Sequence, residues 1–387
     1  MINAGVKMLM EPTSSPLSSS RKQTLEKAHR PPSVAGPNLC PPQSAVLPLT
    51  WDNLRRFDMA SLSGLASSKN SGSSTPRSPR SAIAERRQLS TNLIHVHVGR
   101  GIPSSIPAGI RELIKRMKDI GRPTPDLTKA DKKEIRARVV SIAARYEDNA
   151  TDALLDLVFA EPCRIDRGAY PPHLGRNRDC KFIRGCVPTR DALGNAKIQA
   201  ALDRVGAPKT PKPDIAFGYS SSAFSIAQAL VNTAHDRIAH ISQGILHPFI
   251  VLEGKSGATG GTQIEVQNRA ARSAAALVHS QRTLHASAHG GDFGSPADTA
   301  CFSCTTDSTT AYVWIHWCQE EEGEPHYRMK PLLRLFLDNC KAVWKLRQVV
   351  DNIFEWGLGE RLERVKAVLD RIPEERAEAG GSRKRKR

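Results

Sequence analysis

The chain has 387 residues, room for two or three average domains or for one domain with extensions. No stretch reaches the roughly 18 consecutive apolar residues that a membrane span requires, so no membrane partner is expected. The formal net charge is +17, but the first ninety residues hold 12 Lys/Arg against 5 Asp/Glu and the terminal RKRKR holds five more, so only +5 remains for the segment between them. The middle of the chain is mildly basic: the charge suits contact with a polyanion without proving it.

The eight cysteines are scattered, and the start, MINAGVKMLMEP, lacks a long apolar signal region. An intracellular, reducing location with mostly free thiols is expected. Cys301-x-x-Cys304 has zinc-like spacing, yet it has no second CxxC and lies in a run that reads as a strand. There the two side chains fall on opposite faces, so buried thiols are the better reading.

In chain order, residues 1–100 are rich in Ser, Pro and Arg and read as a disordered extension, since they hold too little apolar surface to offset chain entropy. Thr75-Pro76-Arg77 and Ser78-Pro79-Arg80 within it look like sites for a proline-directed kinase, or like a flexible linker. Order is expected from about Ser104. Ile110, Leu113, Ile114, Met117 and Ile120 form a helical stripe ended by Gly121. A second helix after Thr128 keeps Ile135, Val139, Ile142 and Tyr146 on one face and continues towards Phe159. After a Pro- and Arg-rich connection, PDIAFGY opens a short apolar run, and Ser222 to Ile245 reads as mainly helical. Phe249 to Leu252 is a continuous apolar run of strand type. A turn, SGATGG, leads into a helix of small residues from about Thr262 to Val278. Two strands are expected around Ala300–Thr305 and Ala311–Cys318, then two helices broken near Gly357-Leu358-Gly359. Residues 104–372 thus form the folded domain and 373–387 a basic tail. The pattern suits a mixed sheet with helices on both faces.

Hydrolysis of a phosphodiester needs a divalent cation, an oriented water and a stabilised leaving oxygen. Carboxylate oxygens suit Mg²⁺, which keeps several waters of its own. Pro213-Asp214 opens one strand; Glu253-Gly254-Lys255 closes the next, with Glu253 and Lys255 on one strand face. These residues resemble the signature of the PD-(D/E)XK nuclease-like superfamily, a proline-aspartate followed by E-x-K on the next core strand. The wider context, PDIAFGY, HPFIVLEGKSGATGGTQIEVQNRAARSAAALV and WGLGERL, resembles a fungal family placed in that superfamily, over roughly residues 130 to 370.

The resemblance implies an α/β, restriction-endonuclease-like fold, a mixed central sheet flanked by helices, with Mg²⁺ or Mn²⁺ as cofactor. Asp214 and Glu253 would hold the metal and Lys255 would orient water or stabilise charge. Gln267, on the following helix, would position water or substrate, and Glu147, on an early helix, would add a metal-site carboxylate, with Asp148 and Asp152 competing for that role. The Gly257–Gly261 turn could receive a phosphate at the helix start. The 39 positions between Asp214 and Glu253 exceed a simple hairpin, so a helical segment must be inserted between their strands. Each residue also has a plainer reading: Glu253 can pair with Lys255 or an Arg, Asp214 can start a turn, and Gln267 can be a surface amide.

Three functional readings follow. The first is a metal-dependent nuclease-like phosphodiesterase acting on DNA or RNA in the nucleus, with RKRKR as import signal. The second is a catalytically inactive binding module of the same fold. The third is an effector acting through protein contacts.

Overall fold

In the computed structural model the described residues are 79–98, 106–119, 128–144, 171–255, 262–307, 309–337 and 340–372. Order starts earlier than the composition suggests. Helix α1 (Pro79–Thr91) and strand β1 (Ile94–Val96) both precede Ser104 and lie inside the segment expected to be disordered. The physical reason is tertiary. Ala82 and Leu89 of α1 are buried, and its charged residues find partners on a distant helix, which local composition cannot reveal.

Two helices follow, α2 (Ala108–Lys118) and α3 (Lys129–Ala144). Ile110, Leu113 and Met117 of α2 are buried, as their spacing predicts. Glu147, Asp148, Asp152 and the turn Gly257–Gly261 lie outside the described residues. Then come β2 (Leu174–Arg178), α4 (Ala196–Val205) and β3 (Ile215–Tyr219). The inserted helical segment is α5 (Ile226–Ala234) and the short α6 (Asp236–Ala239), before β4 (Leu246–Gly254). Helix α7 (Gln263–Ala288) is 26 residues long, opened by a reciprocal capping box between Thr262 and Glu265. It leads to β5 (Cys301–Thr306), β6 (Thr310–Glu321) and β7 (Glu324–Phe336), then α8 (Cys340–Trp356), a wide helical turn at Gly357–Arg361, and α9 (Leu362–Leu369).

The strands form one mixed sheet in the order β1-β7-β6-β5-β4-β3-β2. β2, β3 and β4 are successively antiparallel, whereas β4 and β5 are parallel and joined by α7. Such a crossover must lay its helix across a sheet face. Alternation then divides the core. Phe217, Ile250, Leu252, Phe302, Cys304, Val313 and Ile315 pack with α2, α8 and α9. Ala216, Val251, Cys301, Tyr312 and Trp314 pack against α7 and Leu89 of α1. Cys301 and Cys304 therefore lie on opposite faces and do not form a metal pair; both are free, buried thiols.

The β6–β7 turn is Glu322-Gly323, with φ of +53° and +78°, a two-residue turn whose positive φ values match the strand twist. Pro331 of β7 stands where the β6–β7 register shifts, and beyond the short partner β1, which pairs only with Tyr327–Met329. There its missing N–H breaks no ladder bond to β1. The expected break at Gly357 is instead a widened turn that joins α8 to α9. The Tyr219 hydroxyl donates to the Gly357 carbonyl at 2.7 Å. Arg361, 2% exposed, donates to Tyr219 Oη at 2.9 Å and to the His247 carbonyl at 3.1 Å. This clamp fixes the start of β4, at the other end of the strand from Glu253.

Candidate functional site

The register explains the site. Ile215 of β3 is paired with Leu252 of β4, so the next antiparallel pair along the ladder is Asp214 opposite Glu253. Asp214 stays close to the ladder. Its carbonyl accepts from the Asp179 N–H at 2.9 Å, and its Oδ2 accepts from the Gly254 N–H at 2.6 Å. Lys255 continues the β4–β5 pairing through its N–H to the Thr306 carbonyl, 2.9 Å away. By alternation Glu253 and Lys255 leave β4 on the face covered by α7.

Glu253 is 1% exposed. Its Oε1 accepts from the Ser273 hydroxyl of α7 at 2.8 Å. One turn earlier on the same helix face, the Arg269 guanidinium lies between the two carboxylates. It donates to Asp214 Oδ1 and to the Gly254 carbonyl at 3.3 Å, and its Nε stands 2.8 Å from Glu253 Oε2. That last contact is one of charge alone: the N–H is not aimed at Oε2, which is buried without a hydrogen bond among the described residues. Burial pushes the Glu253 carboxyl up to about 7; the nearby Asp214 charge adds to this, while Arg269, the Ser273 hydroxyl and Arg272 oppose it. Arg269 and Asp214 are about one-fifth exposed, so any exchange with solvent enters past them and not past Glu253.

The structure brings Asp214 and Glu253 together at the end of the sheet where Lys255 begins its loop. Gln267 is placed differently. Two positions before Arg269 is about 200° round the helix, and the Gln267 amide oxygen accepts from Arg86 of α1 at 3.1 Å. Arg86 also donates to Asn268, and Glu85 pairs with Arg272. Gln267 thus belongs to the α1–α7 contact. Arg269 and Ser273 were not singled out from the sequence. The available signal was their i, i+4 spacing on the helix that follows E-x-K, which puts a cation and a hydroxyl on one face.

Two opposed carboxylates, one with an oxygen that has no hydrogen bond among the described residues, are the kind of donors that a hard divalent cation retaining water would take. Among the described residues no group of three or more His, Cys, Asp or Glu side chains is arranged to hold a metal, so the centre offers two carboxylates. Among the described residues no helix is long and apolar enough to cross a membrane.

No curated protein and no solved structure matches the chain. Residues 177–369, from within β2 to the last residue of α9, match the model of a domain of unknown function, DUF7924.

Proposed function

We propose that this domain is a restriction-endonuclease-like, metal-dependent phosphodiesterase acting on nucleic acid. The observation that carries the reading is the cross-strand pair Asp214–Glu253, at the mouth of two adjacent core strands, with Lys255 two residues on. Asp214 and Glu253 would hold Mg²⁺ or Mn²⁺. When bound, the ion would supply charge neutralisation for a phosphate and a more acidic water. Lys255, on the Glu253 face, would hold positive charge where the reaction accumulates negative charge.

Surface charge beside the pair supports a polyanionic substrate. The segments 178–184 and 206–212 run side by side, joined by the Phe182 N–H donating to the Pro211 carbonyl at 3.0 Å. They carry Arg178, Lys181, Arg184, Lys209 and Lys212, all exposed. Asp179 is the lone acid of these segments and is paired with Lys212 at 3.2 Å. Phosphate contacts from such loops add affinity without sequence preference. The nuclear location read from RKRKR stays part of the proposal.

A second reading has its own support. Arg269 already contacts both carboxylates and offsets part of their charge, which suits a nuclease fold that binds nucleic acid without cutting it. The test is cleavage of generic DNA and RNA with Mg²⁺ or Mn²⁺ by wild type and Lys255→Ala, with binding measured at one stated salt concentration. The enzyme reading expects wild-type cleavage and a loss of about a hundredfold or more in the variant, with a smaller change in binding. Binding without cleavage under every metal selects the second reading. Neither binding nor cleavage rejects both.

A further inference from the structure

Arg269 is a large cation fixed where a divalent ion would have to sit. Among the described residues it donates to Asp214 Oδ1 and the Gly254 carbonyl and faces Glu253 Oε2 by charge. Its helix is held from both sides. Ser273, one turn on, donates to Glu253. Arg272 pairs with Glu85 of α1, and Asn268 donates to the Ala82 carbonyl at 2.7 Å. The α7 backbone is therefore anchored, and any rearrangement at the acid pair falls to the Arg269 side chain. That side chain is about one-fifth exposed and has a solvent path, whereas Glu253 has none.

We propose that Arg269 is an internal counter-ion that competes with the divalent cation for Asp214 and Glu253, so that the centre takes up metal only when this guanidinium swings away. The inference rests on the metal-centre reading and adds a residue and a mode of control to it. Without a bound ion, two facing carboxylates, one of them buried, would repel each other and Glu253 would carry uncompensated charge. Arg269 offsets part of that charge and contacts both strand ends. The same contacts oppose metal uptake twice, by occupying the oxygens and by placing positive charge beside them. Metal affinity in the resting protein is weak for this reason. A phosphate group is a natural alternative partner for the displaced guanidinium, since its oxygens accept paired N–H bonds.

The experiment is Mn²⁺ binding to the full chain, read by electron paramagnetic resonance of free Mn²⁺, for wild type, Arg269→Gln, Arg269→Lys and Asp214→Asn. The expected result is tenfold or greater tightening in Arg269→Gln, a smaller gain in Arg269→Lys, which keeps a charge but loses the planar fork, and loss in Asp214→Asn. Thermal melting with and without Mn²⁺ runs in parallel. Arg269→Gln should melt below wild type without metal and gain more from Mn²⁺. Arg269→Lys keeps the comparison open should Arg269→Gln fail to fold. Equal Mn²⁺ affinity in wild type and both Arg269 variants, abolished by Asp214→Asn, overturns the counter-ion inference and leaves the metal centre standing. No Mn²⁺ binding by wild type or either Arg269 variant removes the metal centre itself, and the inference with it.

Discussion

Glu253→Gln should make the protein relatively more stable as pH rises. In the folded chain burial holds this carboxyl near 7, against an ordinary value of 4.5. Between these values the folded state binds more protons than the unfolded state, so stability falls as pH increases through the window. Each tenfold difference in proton affinity corresponds to about 1.36 kcal/mol, so the ionised carboxylate costs about 3 kcal/mol at pH 8 relative to pH 4. Glutamine keeps the shape and an oxygen for Ser273 but has no charge to bury. The assay is urea denaturation of both proteins in a pH series from 4 to 8.5 without divalent ions. The difference between them should drift by about 3 kcal/mol in favour of the variant as pH rises. Histidine contributions cancel in this difference. A pH-independent difference would mean that Glu253 ionises as freely in the folded chain as in water, and the buried-carboxylate reasoning would be refuted. So would a drift in favour of wild type.

Other outcomes follow from the same geometry. Burial lowers His95 to about 4, and His247 and His316 to about 3. The unfolded chain takes up these protons first, so Glu253→Gln, freed of the opposing trend, should lose stability steadily as pH falls from about 6.5 towards 4 in a denaturation series. In Gly357→Ala the new Cβ would lie 2.4 Å from a Phe249 ring carbon. That ring is packed by Tyr219 and Phe354, so overpacking should cost about 1–3 kcal/mol and show as a lower melting temperature. Replacing Arg178, Lys181, Lys209 and Lys212 by Gln should flatten the dependence of log K on log salt by about 0.9 for each duplex phosphate that these side chains no longer neutralise. An unchanged slope would remove the segments 178–184 and 206–212 from the proposed nucleic-acid interface.

Much of the sheet's centre is legible in the sequence, because its strands are rich in apolar residues. Phe249–Leu252 and Tyr312–Trp317 announce β4 and β6, and the E-x-K ending one of them points to the strand end where Asp214 arrives. The flanking strands are harder. β2 reads LGRNR, and its membership rests on pairing with β3. β7 carries half-buried charges and Pro331, which hide an alternation that is real at Tyr327 and Met329 and is broken at the register shift, where Leu332 packs on the other face. Helix α1 is invisible for the same reason: Arg86 and Glu85 are satisfied by residues more than 180 positions away. The carboxylate pair could be read from its places at one strand's start and the next strand's end, and the register sets the two opposite each other. For Arg269 the sequence offers only the i, i+4 spacing with Ser273 on the helix after E-x-K; that it reaches both acids depends on how α7 crosses the sheet, a tertiary fact.

The central claim is that Asp214 and Glu253 together hold a divalent cation. A crystal of the full chain grown or soaked with Mn²⁺ tests it most directly through anomalous scattering. The expected result is a Mn²⁺ peak bonded to a carboxylate oxygen of Asp214 and of Glu253, at about 2.2 Å, slightly longer than the Mg²⁺–oxygen distance, with the Arg269 guanidinium withdrawn from both. Saturating Mn²⁺ with no peak at this position, and Arg269 still bridging the two acids, would contradict it.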